Sequence, residues 1–236
     1  SPHLRGEALG IGLAGLVLAR NLVLHACVYG LSYLVFHELG AVREALAAVK
    51  LSPTRPDRAR VRQEIVLTLS SCLIGTGYEL GIGAAISRGT LALDAGPPAG
   101  AWFYLGFVFV FAWADLHFYA THRLFHARWL FRRFHHVHHR SFDPNPWSGL
   151  SFHPVEALAY FSALLIVVVV PLHVAHLVFL KVILDVAPVF GHLGYGGFTG
   201  GSRFHDLHHR LGRVNFGGTV LWDRVFGTHS RGKASP

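Results

Sequence analysis

The sequence predicts an all-α fold: a polytopic membrane bundle of about four spans, the last a proline-broken hairpin, with a histidine-rich cap on the cytosolic side. Three observations carry that expectation. Apolar residues make up 52% of the 236 residues and charged ones only 14%, with a mean hydropathy of +0.40, too little charge to clothe the water-facing surface of a 25.9 kDa soluble domain. Apolar runs near the spanning length of about 20 residues recur along the chain. The basic residues gather between particular runs, as the positive-inside rule requires.

The first run is Asn21 to Leu39, preceded by a Gly-rich apolar stretch from Ala8 to Ala19. Arg20 separates the two, and a span across it would put a charge in hydrocarbon, so Ala8 to Ala19 is expected as an interfacial or partly inserted helix. The second span is expected from Glu64 to Ile86 and the third from Ala101 to about His117. Glu156 to Phe190 is too long for one span and carries Pro171 near its middle, which predicts two arms of a hairpin. Residues 1–100 thus hold the N-terminal membrane helices and a basic loop; residues 101–236 hold the third span, the hairpin and the cap, all within one structural domain. Cys27 and Cys72 lie in apolar stretches and read as small buried hydrophobes, not a disulfide framework. The chain begins at Ser1 and contains no Met, from which a processed or trimmed start is expected.

The net charge of +8 alone would suit nucleic acid, an anionic membrane leaflet or an acidic substrate. Position decides among them. Segment 40–63 holds Arg43, Lys50, Arg55, Arg58, Arg60 and Arg62; segment 119–155 holds Arg123, Arg128, Arg132, Arg133 and Arg140; the tail from residue 191 adds six more. The loop from Ser87 to Gly100 offers only Arg88, so seventeen of the 21 basic residues share one face. That distribution predicts an integral membrane protein with its histidines and C-terminus cytoplasmic, in the plasma or inner membrane of a bacterium or the endoplasmic reticulum of a eukaryote, with no nucleic-acid partner. Lys181, inside the hairpin, is expected to pair with Asp185 one turn on.

Histidine is the second excess: 18 residues, against 13 carboxylates. Three clusters lie on the basic face. His122 and His126 are an i, i+4 pair, which puts both imidazoles on one side of a helix. His135, His138 and His139 form an i, i+3, i+4 set, and His205, His208 and His209 repeat it. Eight neutral nitrogen donors exceed what one tetrahedral ion uses, so two metal ions are expected. Imidazole suits iron, zinc, copper and nickel alike. Asp115, Asp143, Glu156 and Asp206 stand near the clusters as groups that could accept the outer ring N–H, Asp206 above all because it lies inside the last cluster.

From Asp115 to the tail, about half the chain, the sequence resembles the fatty acid hydroxylase and sterol desaturase superfamily of membrane non-haem di-iron oxygenases. The landmarks are Asp115-x6-His122-Arg-x2-His126, His135-x2-His138-His139, Phe152-His153-Pro-Val-Glu156, Gly191-His192, His205-x2-His208-His209-x5-Asn215-Phe-Gly217 and Trp222-Asp-Arg-Val-Phe-Gly227-Thr228. The resemblance implies two Fe ions, with Zn a ready substitute, and O2 as co-substrate for hydroxylating or desaturating an unactivated carbon of a membrane lipid, a sterol, a fatty acyl chain or a relative of these. It also implies the site residues: His122, His126, His135, His138, His139, His192, His205, His208 and His209, with His153 a tenth metal ligand and Asp115, Asp206 and Asn215 supporting them. Some hydroxylases of the family carry a further His four residues after the Gly-His element. Here that position is Gly196, which leans the resemblance towards the sterol desaturase-like branch. The haem-binding cytochrome domain fused to some relatives is missing, so a separate electron donor is expected: a cytochrome b5-like protein, a ferredoxin or a reductase. The oligomeric state is left open.

Other readings weigh less. A zinc-dependent membrane hydrolase would want His-Glu-x-x-His, but after His37-Glu38 the second position is Ala41. A metal-binding or transport protein would line a path through the bilayer midplane, whereas these clusters share one face. His117 and His136 fall off the ligand spacing and are expected to pack. His25, His37, His173 and His176 lie in or beside apolar spans and should find interhelical partners. His3 and His229 are expected in solvent, Arg132, Arg133 and Arg140 as orientation signals, and Asp143 to Trp147, with two prolines, as a rigid loop.

Overall fold

In the computed structural model, which describes residues 2–52, 54–196 and 200–231 and the side chains from residue 12 onward, four helices are long and apolar enough to cross a membrane. They cover Gly12–Glu38, Arg58–Ser87, Gly100–Phe125 and Val174–Gly191. No β-strand forms among the described residues. The His3 side chain and Lys233 lie outside them.

The first span corrects an expectation. Helix α1 (Pro2–His25) does not stop at Arg20; it continues through π-helical turns at Ala26–Gly30 and Leu34–Glu38. The Arg20 guanidinium pairs with Glu79 on the next span and with Asn21 Oδ1 at 2.9 Å. Asn21 in turn donates to Thr76 Oγ1 at 2.9 Å and Glu79 Oε2 at 2.8 Å. With its charge answered by an interhelical cluster, Arg20 need not break the helix. Helix α2 (Arg58–Ser87) starts at Asp57, whose carboxylate accepts from Arg60 N. Helix α3 (Gly100–Phe125) runs two turns past the expected end, carrying His122 into the basic end of the bundle.

The proline-broken region is half as expected. Its first arm is α5 (Pro154–Phe161) with a 3-10 extension over Ser162–Val168, and its second is α6 (Val174–Gly191), with Pro171 between them. The first arm is too short to span. It is core instead: Ala157, Phe161, Ala163 and Leu164 are fully buried, and Phe161 closes on α2 so tightly that a Cβ at Gly75 would sit 2.8 Å from its ring. Short helices α4 (Arg128–Arg133), α7 (Gly200–Leu211) and α8 (Val220–Val225) build the cap, with a 3-10 turn at His135–Arg140.

The outside of the spans is apolar. Leu13, Leu16, Val66, Tyr104 and Val108 are each more than 60% exposed. Such a surface is costly in water and suits hydrocarbon. Polar groups inside are paired: Lys181 with Asp185, and, across elements as expected, His37 with Leu193 O at 3.0 Å and His176 with Phe103 O at 2.7 Å, whereas His25 bonds Asn21 O of its own helix at 2.8 Å. Both cysteines are free; Cys72 is buried, while Cys27 is exposed rather than buried as expected.

One polar contact positions the cap. Glu64, buried one turn inside α2, accepts from Ser141 Oγ at 2.5 Å and Asn145 Nδ2 at 2.8 Å, while Thr68 and Ser71 donate to the carbonyls of Trp147 and Leu150. The rigid loop from Asp143 is thereby clamped to a span, and the His135–Arg140 turn is clamped with it.

Candidate metal centre

Nine of the ten imidazoles implied as ligands converge in two adjacent groups. His122, His126, His135, His139 and His208 form one; His138, His192, His205 and His209 form the other, and within each group the candidate donor atoms lie within 4.8 Å of one another. His122 sits one turn before the end of α3 and His126 caps it, so their i, i+4 spacing delivers both to one group. The two triple clusters are each shared: the 3-10 turn sends His135 and His139 one way and His138 the other, and α7 sends His208 one way and His205 and His209 the other. His192 caps α6.

In four of the nine rings an outer partner fixes which nitrogen carries the proton. The outer Nδ1–H of His122 donates to Phe216 O at 2.7 Å, that of His208 to Val214 O at 2.7 Å, that of His192 to Pro188 O at 3.1 Å, and that of His135 to Glu156 Oε1 at 2.7 Å. Those bonds fix the tautomer and leave each Nε2 lone pair facing inward. His126 Nε2 lies 3.0 Å from His208 Nε2, 3.1 Å from His135 Nε2 and 3.2 Å from His139 Nε2; His209 Nε2 lies 3.1 Å from His205 Nε2 and 3.3 Å from His192 Nε2. His122 Nε2 is buried with no partner at all. Bare lone pairs at such separations repel unless a cation lies among them. Metal–nitrogen bonds of about 2.1 Å place neighbouring donors about 3.0 Å apart in an octahedron and about 3.4 Å apart in a tetrahedron, which brackets these separations. The residues present fit two metal ions.

Burial reinforces the neutral state that ligation needs. It pushes His126 down to about 3, with His208 adding to the shift, and His139 down to about 2. His192 and His208 are each lowered to about 4, again chiefly by burial.

The carbonyls facing His122 and His208 come from one short segment. Asn215 adopts φ +59° between Val214 and Phe216, turning both of their carbonyls towards the rings, and its side chain holds Phe204 O, Ser230 O and Ser230 N. Asp223 accepts from Phe216 N and Gly217 N, and Asp115 accepts from Gly218 N and Thr219 N at 2.9 Å. Asp115 and Asn215 therefore act through this turn and touch no candidate ligand directly.

Three expectations are corrected. His153 joins neither group: it caps α5, accepting from Val155 N, and packs on Phe134 with ring centroids 4.9 Å apart. Asp206 points away from the imidazoles and pairs with Arg210 at 2.9 Å, one turn along the exposed side of α7. Asp143 meets Ser52 and Thr54. The residue that does accept an outer ring proton is Glu156. Sequence reasoning assigned no role to Asp223 and Glu64; the signals were present as a lone acid inside the apolar Val220–Phe226 stretch and another at the start of a span.

An apolar cavity of about 240 Å³ opens onto the four-histidine group. Phe111 and Phe118 of α3 face Ile183 and Ala187 of α6 across it, and His138, His192 and His205 form its inner wall. Phe111 is 49% exposed, so the mouth opens on the apolar flank of the bundle.

Residues 107–228 match the family model described as fatty acid hydroxylase. A Delta(7)-sterol 5(6)-desaturase from Aspergillus fumigatus is 29% identical over 204 residues, 72% of this chain and 63% of that protein. A methylsterol monooxygenase from Gallus gallus is 32% identical over 128 residues, 50% of this chain and 43% of that protein, and one from Arabidopsis thaliana is 34% identical over 137 residues, 51% of each. The chain thus spans about half the length of the curated relatives it matches. No solved structure matches it.

Proposed function

Because the chain belongs to the fatty acid hydroxylase family, we propose that it uses O2 to hydroxylate or desaturate an unactivated C–H position of a membrane lipid, a sterol-like polycycle first among the candidates. The observation that carries this reading is the apolar cavity, open on the flank of the bundle, whose inner wall is three imidazoles of a paired histidine cluster. Two bound iron ions would supply the oxidising power, by reducing dioxygen, to break a C–H bond. Named relatives act on sterols, which supports a polycyclic substrate.

The chain's own residues supply the rest. Phe111, Phe118 and Ile183 would hold an apolar chain or ring by contact and exclude water from the reacting carbon. The nine imidazoles would hold the ions, His122, His126, His135, His139 and His208 on one side and His138, His192, His205 and His209 on the other. Glu156 and the carbonyls of residues 188, 214 and 216 orient the rings through the outer N–H. The cap would face the cytosol, where most of the basic residues lie. The test is lipid analysis of membranes with and without the chain, under labelled O2, beside His138→Ala and His208→Ala. The active chain should yield one altered lipid class and both variants none; unimpaired product from either variant would refute the assignment.

A further inference from the structure

On the side of the centre away from the lipid cavity, a groove is formed by Arg123, Leu124, His126, Gly212, Arg213 and Phe216. Its floor is His126. The other four imidazoles of that group are at most 9% exposed, whereas His126 is only half-buried, so it is the edge of the group that solvent meets. The same ring stands 3.0–3.2 Å from His208, His135 and His139. The rim is positive. Arg123 donates to Tyr119 Oη at 2.8 Å, and Arg213 is exposed; neither makes an ion pair among the described residues. No acid lines the groove, and Asp206 and the fully buried Asp223 are engaged, by Arg210 and by backbone N–H groups.

The reaction proposed above creates a demand that this groove can meet. Hydroxylation consumes the C–H bond, one O2, two electrons and two protons, leaving one oxygen in the alcohol and one in water. Desaturation uses the same two electrons and two protons and leaves two waters. A one-electron donor must therefore be oxidised twice per turnover. We propose that the groove over His126 is the docking site of an acidic one-electron redox protein, and that its electrons enter the centre through His126. This rests on the oxygenase reading. It assigns the five-histidine group to the donor and the four-histidine group to the lipid, so the two partners approach from different sides. A shallow, charge-rimmed contact of this kind suits the small, transient interfaces of electron-transfer pairs.

The experiment uses the full chain in nanodiscs of neutral phosphatidylcholine, with the haem domain of cytochrome b5 and a plant-type ferredoxin as acidic probes. Affinity for the oxidised probe is measured on zinc-loaded protein, and oxidation of the reduced probe on iron-loaded protein. Arg213→Glu should weaken binding of at least one probe, and slow its oxidation, by about tenfold or more at low salt, the gap closing as ionic strength rises. Arg62→Glu, an equal charge change at the same end of the bundle but away from the groove, should change either by less than about twofold. Equal effects of the two variants, or none, would overturn the docking site. An effect that appears only in discs containing anionic lipid would overturn it in favour of a headgroup site. If wild-type iron-loaded protein binds the probes but never oxidises them, the oxygenase reading itself fails.

Discussion

Glu156 offers the sharpest test of the centre. It is 6% exposed, and its Oε1 takes the outer proton of the fully buried His135 at 2.7 Å. Its second oxygen has no partner. Glu156→Gln keeps the shape and an acceptor but can never become a carboxylate; Glu156→Leu removes the acceptor and strands a buried ring N–H. Loss of an outer partner of this kind costs about 10- to 100-fold in metal affinity, or about 1.4 to 2.7 kcal/mol. We expect Gln at the low end and Leu at the high end, because only Leu adds an unsatisfied donor. The loss should be confined to the five-histidine group, so that graded chelator takes one metal early and leaves the second at its wild-type affinity. Metal per chain across the chelator series measures this. His153→Ala is the control and should keep both metals, since its ring only caps a helix. A Leu variant that holds both metals as tightly as wild type would show that His135 is not oriented in this way.

Three further outcomes follow from the same geometry. Asn215→Ala should destabilise the protein by about 2–4 kcal/mol, from a left-handed backbone cost of about 1–2 kcal/mol and an orphaned Ser230 N–H, and Asn215→Gly by about 1 kcal/mol less; denaturant unfolding in detergent checks both. Burial holds His126 at about 3, His139 at about 2, and His192 and His208 at about 4, against 6.5 when unfolded, so the unfolded chain gains protons first as pH falls. Metal-free protein should therefore keep this stability above pH 6.5 and lose it towards pH 4, by up to about 1.4 kcal/mol per pH unit per ring, with bound metal released over the same range; a flat profile from pH 7 to 5 would contradict it. Lys181→Met should cost about 3–5 kcal/mol because Asp185, 2% exposed inside the bundle, is left without its ion-pair partner, while the double change with Asp185→Leu should recover most of it, as paired unfolding measurements would reveal.

Spans two and three were legible because an apolar run near the bilayer length has few other uses, and the Pro171 break because proline cannot continue a helix. The helix through Arg20 was not, since the acid that answers it, Glu79, lies 59 residues away. The first hairpin arm was misread for a related reason: an apolar segment packed inside a bundle and one facing lipid have the same composition. In the site, periodic spacing exposed the three clusters, yet it could not say that each triple cluster divides between two groups, because that depends on the 3-10 geometry of His135–Arg140. Asp206 looked better placed than Glu156 only because it is adjacent in sequence. On α7 it turns to Arg210, whereas Glu156 reaches His135 across 21 residues of chain.

That contrast bears on how a centre built almost wholly from neutral donors can hold charge. Two divalent ions would bring four positive charges, and nine neutral imidazoles bring none to offset them. Asp115 and Asp223 do not face the rings; their oxygens hold the turn from Phe216 to Thr219. Glu156 is thus the one carboxylate bonded to a candidate ligand among the described residues, and it serves the five-histidine group. Elsewhere the compensation is dipolar: the carbonyls of residues 188, 214 and 216 accept outer ring protons and make each inward nitrogen more basic. The two groups are therefore electrostatically unequal. The five-histidine group, with the acid, should hold its ion more tightly, while the four-histidine group, with one donor fewer and an apolar cavity against it, would keep the more open position facing a carbon held in that cavity.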